Sequence, residues 1–194
     1  MTPDVSCGNA NHICLMFMLN HLIIRGSYSL ASLILAVGLS AQAQDGREHP
    51  LQDTFLDSLV GDWQALRVMK TRTVENTVHA EWVLNHQFLR LHYRDVATPS
   101  KYEAMVFIGY DNAGKHYVVH WIDVFGGHFS QTLGSGKRDG NALAISFDYP
   151  DGEFQNIFTF DPKDRTWISL MRQNGKSGKW STFAEDHFHR TLAK

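Results

Sequence analysis

Chemistry in this 194-residue chain depends on which of its scattered polar residues can be brought together. His187 and His189 stand two apart, about 6.6 Å along an extended strand, close enough to serve one metal or haem. Spacing nominates no third ligand, so no metal site is expected, and haem held by His187 or His189 is the lesser alternative. His116 and His120 share a strand face but lie about 13 Å apart, too far to clasp one ion. Arg67 falls on a strand face with Trp63, Ala65 and Met69. If that face is interior, Arg67 requires a carboxylate or an anionic ligand, because an unpaired buried charge is prohibitively costly. If Leu66 and Val68 point inward instead, Arg67 is solvated. Asp123 is one candidate partner for Arg67 or for a ligand hydroxyl; its simpler role is to cap the turn Phe125-Gly-Gly127. Asn76 and Asn156 each sit among apolar residues of their strand face. No serine has nucleophile-elbow surroundings, no glycine-rich loop precedes a helix, and no carboxylate pair has catalytic spacing, so no catalytic residue is nominated.

The elements that must position these residues begin after a leader. Ser29-Leu-Ala-Ser-Leu-Ile-Leu-Ala-Val-Gly-Leu-Ser-Ala-Gln-Ala43 is a short apolar run ending in small-x-small, with Arg25 before it, which reads as a secretory signal peptide over 1–43. The expected product starts near Gln44 and is exported to a periplasmic or extracellular space without a membrane anchor. The lead before Met16 and Met18 reads as an over-extended start. Cys7 and Cys14 both precede the cleavage site, so no disulfide is expected. About 150 residues then remain, 44–194, enough for one domain with a substantial core. The net charge of −2, with both signs interspersed, offers no field for nucleic acid or anionic lipid.

Leu51, Phe55, Leu56 and Leu59 recur at helical spacing behind Pro50 and predict a turn or two of helix ending at Gly61. Beyond it the period is two. Strands are predicted near 62–70, 73–84, 87–96, 101–110, 115–124, 128–135, 142–149, 153–160, 166–173 and 179–190. Short polar connections such as Asp111-Asn-Ala-Gly-Lys115, Lys137-Arg-Asp-Gly140 and Pro150-Asp-Gly152 suit antiparallel hairpins. Closing such a series into an up-and-down barrel removes the exposed edges; a sandwich is the alternative. Alternation sends Val74, Asn76, Val78, Ala80 and Trp82 inward in the second strand, and Leu89, Leu91 and Tyr93 in the third. In the fifth, Tyr117, Val119, Trp121 and Asp123 alternate with residues just as apolar, and the period alone does not choose a face.

Three motifs in order, Leu59-Val-Gly-Asp-Trp63, then Gly109-Tyr-Asp111 with Tyr117-x-x-x-Trp121-x-Asp123, then Phe188-His-Arg190, resemble the calycin superfamily of lipocalins and fatty-acid-binding proteins. The chain is more closely similar to secreted bacterial proteins of unknown function with a lipocalin-like barrel, over nearly all of 50–192. The resemblance implies an all-β, roughly ten-stranded barrel with a central cavity. It also implies Tyr117, Trp121 and Asp123 facing inward, and closure of one end by Gly61, Trp63 and Arg190. A related nitrobindin-like branch holds haem through a histidine near its C-terminal end, but carries glycines where this chain reads Gln64-Ala65-Leu66. The expectation is a secreted protein binding a small apolar or amphipathic molecule without a cofactor. Arg67, Asn76, Trp82, Tyr117, Trp121, Asp123 and Asn156 would line its site. Twelve Phe, five Trp and six Tyr supply stacking walls. The alternatives are haem binding or an isomerase-like or hydrolase-like activity in the same cavity, and a filled barrel with a structural role.

Overall fold

Period-two patterning leaves each strand one apolar face to hide, and ten such faces hide one another only when the sheet curls shut. The computed structural model describes residues 49–175 and 178–191. The expected signal peptide over 1–43, with Cys7 and Cys14, lies outside the described residues. Helix α1 (Thr54–Asp57) is followed by strands β1 (Gly61–Met69), β2 (Arg72–Val83), β3 (Phe88–Asp95), β4 (Glu103–Asp111) and β5 (His116–Asp123). A second short helix α2 (Gly127–Ser130) precedes β6 (Leu133–Asp139), β7 (Ala142–Tyr149), β8 (Gly152–Asp161), β9 (Thr166–Gly175) and β10 (Trp180–Arg190). Each strand pairs antiparallel with its neighbour in sequence, and β1 pairs with β10 to close the barrel.

Helix α1 is one turn long because its start is capped rather than because its period is sustained. Asp53 Oδ1 accepts from the Phe55 and Leu56 backbone N–H groups at 2.9 and 3.2 Å, satisfying donors that a first turn leaves bare. Phe55, Leu56 and Leu59 are buried across one end of the barrel. Leu51 lies ahead of the helix, its N–H bonded to the His86 carbonyl at 2.9 Å. The up-and-down order puts α1 and the β2–β3, β4–β5, β6–β7 and β8–β9 turns at this closed end, and the remaining connections, with α2, at the opposite end, termed the open end because α1 does not cap it.

The sixth predicted strand, 128–135, is misplaced. Residues 127–130 turn as α2, with Ser130 Oγ donating to the Gly126 carbonyl at 3.1 Å, and β6 runs on to Asp139 through residues assigned to a loop. The cause lies at Gly134 and Gly136, which occupy inward positions and carry no side chain to announce a strand. A Cβ on Gly134 would stand 2.7 Å from the Phe147 ring, which occupies that space.

Candidate functional site

The closed end is a lock. Trp63 and Arg190 are register partners across β1 and β10, and the Arg190 guanidinium lies 4.1 Å from the centre of the indole. Arg190 also donates to the Val60 and Ser58 carbonyls at 2.6 and 3.1 Å, while the Trp63 indole N–H donates to the Leu59 carbonyl at 2.7 Å. Gly61 makes the crossing possible: its φ is +123°, and a Cβ there would meet Arg190 Nη1 at 2.1 Å. Such a cation stacked on indole contributes on the order of 0.5–2 kcal/mol.

In the other half of the barrel the interior turns polar. In β1, Leu66 and Val68 are 40% and 43% exposed, which puts Arg67 on the inward face with Trp63 and Ala65. Its partner is Asp186, opposite it on β10, with Nε and Nη2 donating to the two carboxylate oxygens at 2.7 and 2.8 Å. Asp123, the sequence candidate, does not make this pair; it accepts from the Phe125 N–H at 3.0 Å as a turn cap. Burial opposes the charge on Arg67, yet the hydrogen bonds and charge of Asp186 outweigh it and raise the pKa.

From this pair a belt of inward polar side chains runs across six adjacent strands. Asp186 faces Ser169 of β9, whose hydroxyl donates to Asn156 Oδ1 of β8 at 2.7 Å. On the other side, Val74 of β2 lies opposite Arg67, Asn76 is the next inward residue of β2, and Tyr93 of β3 lies opposite Val78. The Arg67 guanidinium stands 5.8 Å from the Tyr93 ring and 5.2 Å from that of Tyr102. Burial pushes the Tyr93 phenol well above its usual pKa, with Asp186 adding to the effect, so it keeps its proton. Three atoms of the belt are buried without a partner: Asn76 Oδ1, Tyr93 Oη and Asn156 Nδ2. Two others, Arg90 Nε and Asn174 Oδ1, belong to residues of outward parity.

Above the belt, aromatic rings crowd the mouth. Tyr93 and Trp121 rings are 5.5 Å apart, Tyr102 and Phe125 6.1 Å, Tyr149 and Phe154 6.5 Å, and Phe154 and Phe183 5.6 Å. Phe125 and Phe129 are 67% and 51% exposed. The structure thus brings Arg67, Asn76, Asn156, Trp121 and Asp123 into one half of the barrel.

It does not bring Trp82 or Tyr117 there. Trp82 stacks on His86 at 4.0 Å and donates to Asp57 at 2.9 Å, tying α1 to the β2–β3 turn. The Tyr117 hydroxyl donates to Asp53 Oδ2 at 2.5 Å beside the same helix. Both serve the closed end, because an inward side chain near the end of a strand meets the helix before it meets the interior.

His187 and His189 flank the fully buried Phe188 and so point out of the barrel, His187 onto Glu185 at 2.8 Å. A haem inside the barrel is beyond their reach. Among the described residues no three His, Cys, Asp or Glu side chains gather as a metal site. Nor is the interior an open vessel in its lower half, which Trp63, Leu91, Val78, Phe158, Trp167 and Phe188 fill. Two concavities, of about 580 and 560 Å³, lie outside the barrel at the closed end, one at Asp164–Thr166 and Arg190, the other between α1 and the β4–β5 turn.

Sequence inspection overlooked Asp186 and Ser169. A signal for Asp186 was present: counting four residues forward from Trp63 and four back from Arg190 arrives at Arg67 and Asp186.

A closed antiparallel barrel capped by a short helix, with a polar belt beneath an aromatic mouth, defines a calycin-like barrel. The family described as "Protein of unknown function (DUF1579)" matches residues 48–190, and the chain belongs to it. No curated protein matches the chain in sequence. Among solved structures it is similar to the S-type phycobiliprotein lyase from Guillardia theta, with 12% identity and a TM-score of 0.50 over 73% of this chain and 93% of the lyase. At that identity the likeness speaks for the fold.

Proposed function

We propose that this protein is an exported binding barrel that takes a small, largely apolar molecule through the open end and holds its polar group on the belt. The observation that carries the reading is the trio of unpartnered buried atoms, Asn76 Oδ1, Tyr93 Oη and Asn156 Nδ2, all on inward-facing residues of β2, β3 and β8. Each unsatisfied buried group costs about 1–3 kcal/mol, and a stable fold keeps several when something else satisfies them. The rings of Tyr102, Trp121, Tyr149 and Phe154 are only partly buried and pack on the core. In this reading they part to admit the apolar body of the ligand and then stack on it. Export rests on the leader over 1–43.

The filled lower half favours a second reading, a solid barrel acting through its surface. Native mass spectrometry of protein purified from its own host separates the two. The binding reading expects a co-purifying small molecule and quenching of Trp121 by an apolar fluorescent dye that competes with it. A bare protein that no apolar dye enters leaves the solid barrel standing.

A further inference from the structure

From the belt's charge balance and its free atoms, we infer that the ligand's anchoring group is electrically neutral and carries both a hydrogen-bond acceptor and a donor, as a primary amide or lactam does. This rests on the binding reading above and narrows it to a chemical class.

The argument begins with charge. Arg67 and Asp186 cancel one another through two hydrogen bonds at 2.7 and 2.8 Å, and their side chains are 9% and 0% exposed. Buried charges are tolerated when paired, and a third charge beside a balanced pair has no partner. A carboxylate ligand would bring a surplus negative charge into a half that already holds Asp95 and Asp123 at inward parity. The cation that shares that parity on β2, Arg72, stands exposed at the mouth. An arginine in a barrel interior invites an anion; here the invitation is already taken.

Hydrogen bonding then selects among neutral groups. Asn156 has given its oxygen to Ser169 and keeps N–H to donate. Tyr93 keeps its proton and offers O–H. Asn76 has turned its amide N–H toward the Val74 carbonyl, a long contact of 3.5 Å, and leaves Oδ1 to accept. The belt therefore offers the Asn156 N–H as a donor, the Asn76 oxygen as an acceptor and a Tyr93 hydroxyl able to act as either, a set that suits a neutral group carrying both an acceptor and a donor. An ammonium group brings no acceptor for Asn156, and its charge has no partner beside the balanced pair. An ester or ketone brings no donor for Asn76.

The test compares dodecanamide, dodecanoate and dodecylammonium as competitors of an apolar dye on the exported protein, at about pH 8, where the acid is ionised. The amide is expected to bind about ten-fold more tightly than either ion, as when buried polar groups find or miss their partners. Asp186→Asn, which frees the Arg67 charge, should reverse the order in favour of dodecanoate. The double variant Arg67→Met, Asp186→Leu, which removes both charges, should keep the preference for the amide and serves where the single variant does not fold. Dodecanoate or dodecylammonium binding the unaltered protein as tightly as the amide overturns the inference. So does dye binding with no preference among the three heads, which leaves the barrel a binder with a different anchor. If no dye enters at all, the binding reading itself fails.

Discussion

The two ends of this barrel use polar groups in opposite ways. At the closed end the indole N–H groups of Trp63, Trp82 and Trp167, the Tyr117 hydroxyl and the Arg190 guanidinium all have acceptors within the chain. At the open end three buried polar atoms have none, and phenylalanines stand in solvent above them. Satisfied groups hold a fold together, whereas unsatisfied ones cost it stability and, in the binding reading, are kept for a ligand. Under the binding reading, the lock and the unpartnered belt atoms serve stability and binding separately, and substitutions can pull the two apart.

The sharpest break is expected at the lock. Trp63→Ala should cost about 4–5 kcal/mol in urea unfolding through loss of a fully buried ring and its stacked cation. Asp186→Ala should cost about 3–4 kcal/mol because Arg67 is left charged and buried; Arg67→Met, Asp186→Leu together should restore most of it. This pair tests whether the belt contributes stability through the ion pair alone, and calorimetric melting of the two variants decides. Gly61→Ala should lower stability by about 1–3 kcal/mol, since it strains a positive φ and displaces Arg190. Tyr93→Phe and Asn76→Leu should do the reverse of the lock variants: stability unchanged or raised by about 1 kcal/mol, with dye binding weakened about ten-fold. A loss of stability in either would erase the distinction between the two halves.

The smallest effect concerns acid. Burial alone would raise the Asp95 pKa, but hydrogen bonds from Ser100 and from the Lys101 and Tyr102 backbone outweigh it and hold the carboxyl below its ordinary value. A lowered folded pKa gives stability that is complete above the ordinary carboxylate range and lost as pH falls through the folded value. Asp95→Asn should therefore lower stability at neutral pH, where that contribution is complete, and change it little in acid below the folded value, flattening the acid limb, as urea titrations at the two pH values would show.

Much of this was legible because a period of two needs only neighbours in sequence. The inward faces of β2 and β3 follow from Val78, Leu89 and Leu91, and the turns follow from Gly and Asn. What alternation does not carry is closure. The inward face of β1 is settled by Asp186, a residue 119 positions away, and the choice becomes visible only once β10 is laid beside β1. Strand β6 was displaced because glycines at its inward positions erase the alternation that defines a strand. Trp82 and Tyr117 were assigned to the ligand because parity tells a face but not a depth.

The lock also dictates an order of events during synthesis. Arg190 reaches a carbonyl 130 residues behind it, so β1 is made early and its outer edge waits unpaired until β10 has left the ribosome. Contacts of such long separation make folding slow, and an open strand edge is a template for pairing with other chains. A chain of this design gains from being kept unfolded until it is whole, a condition that the proposed export would meet.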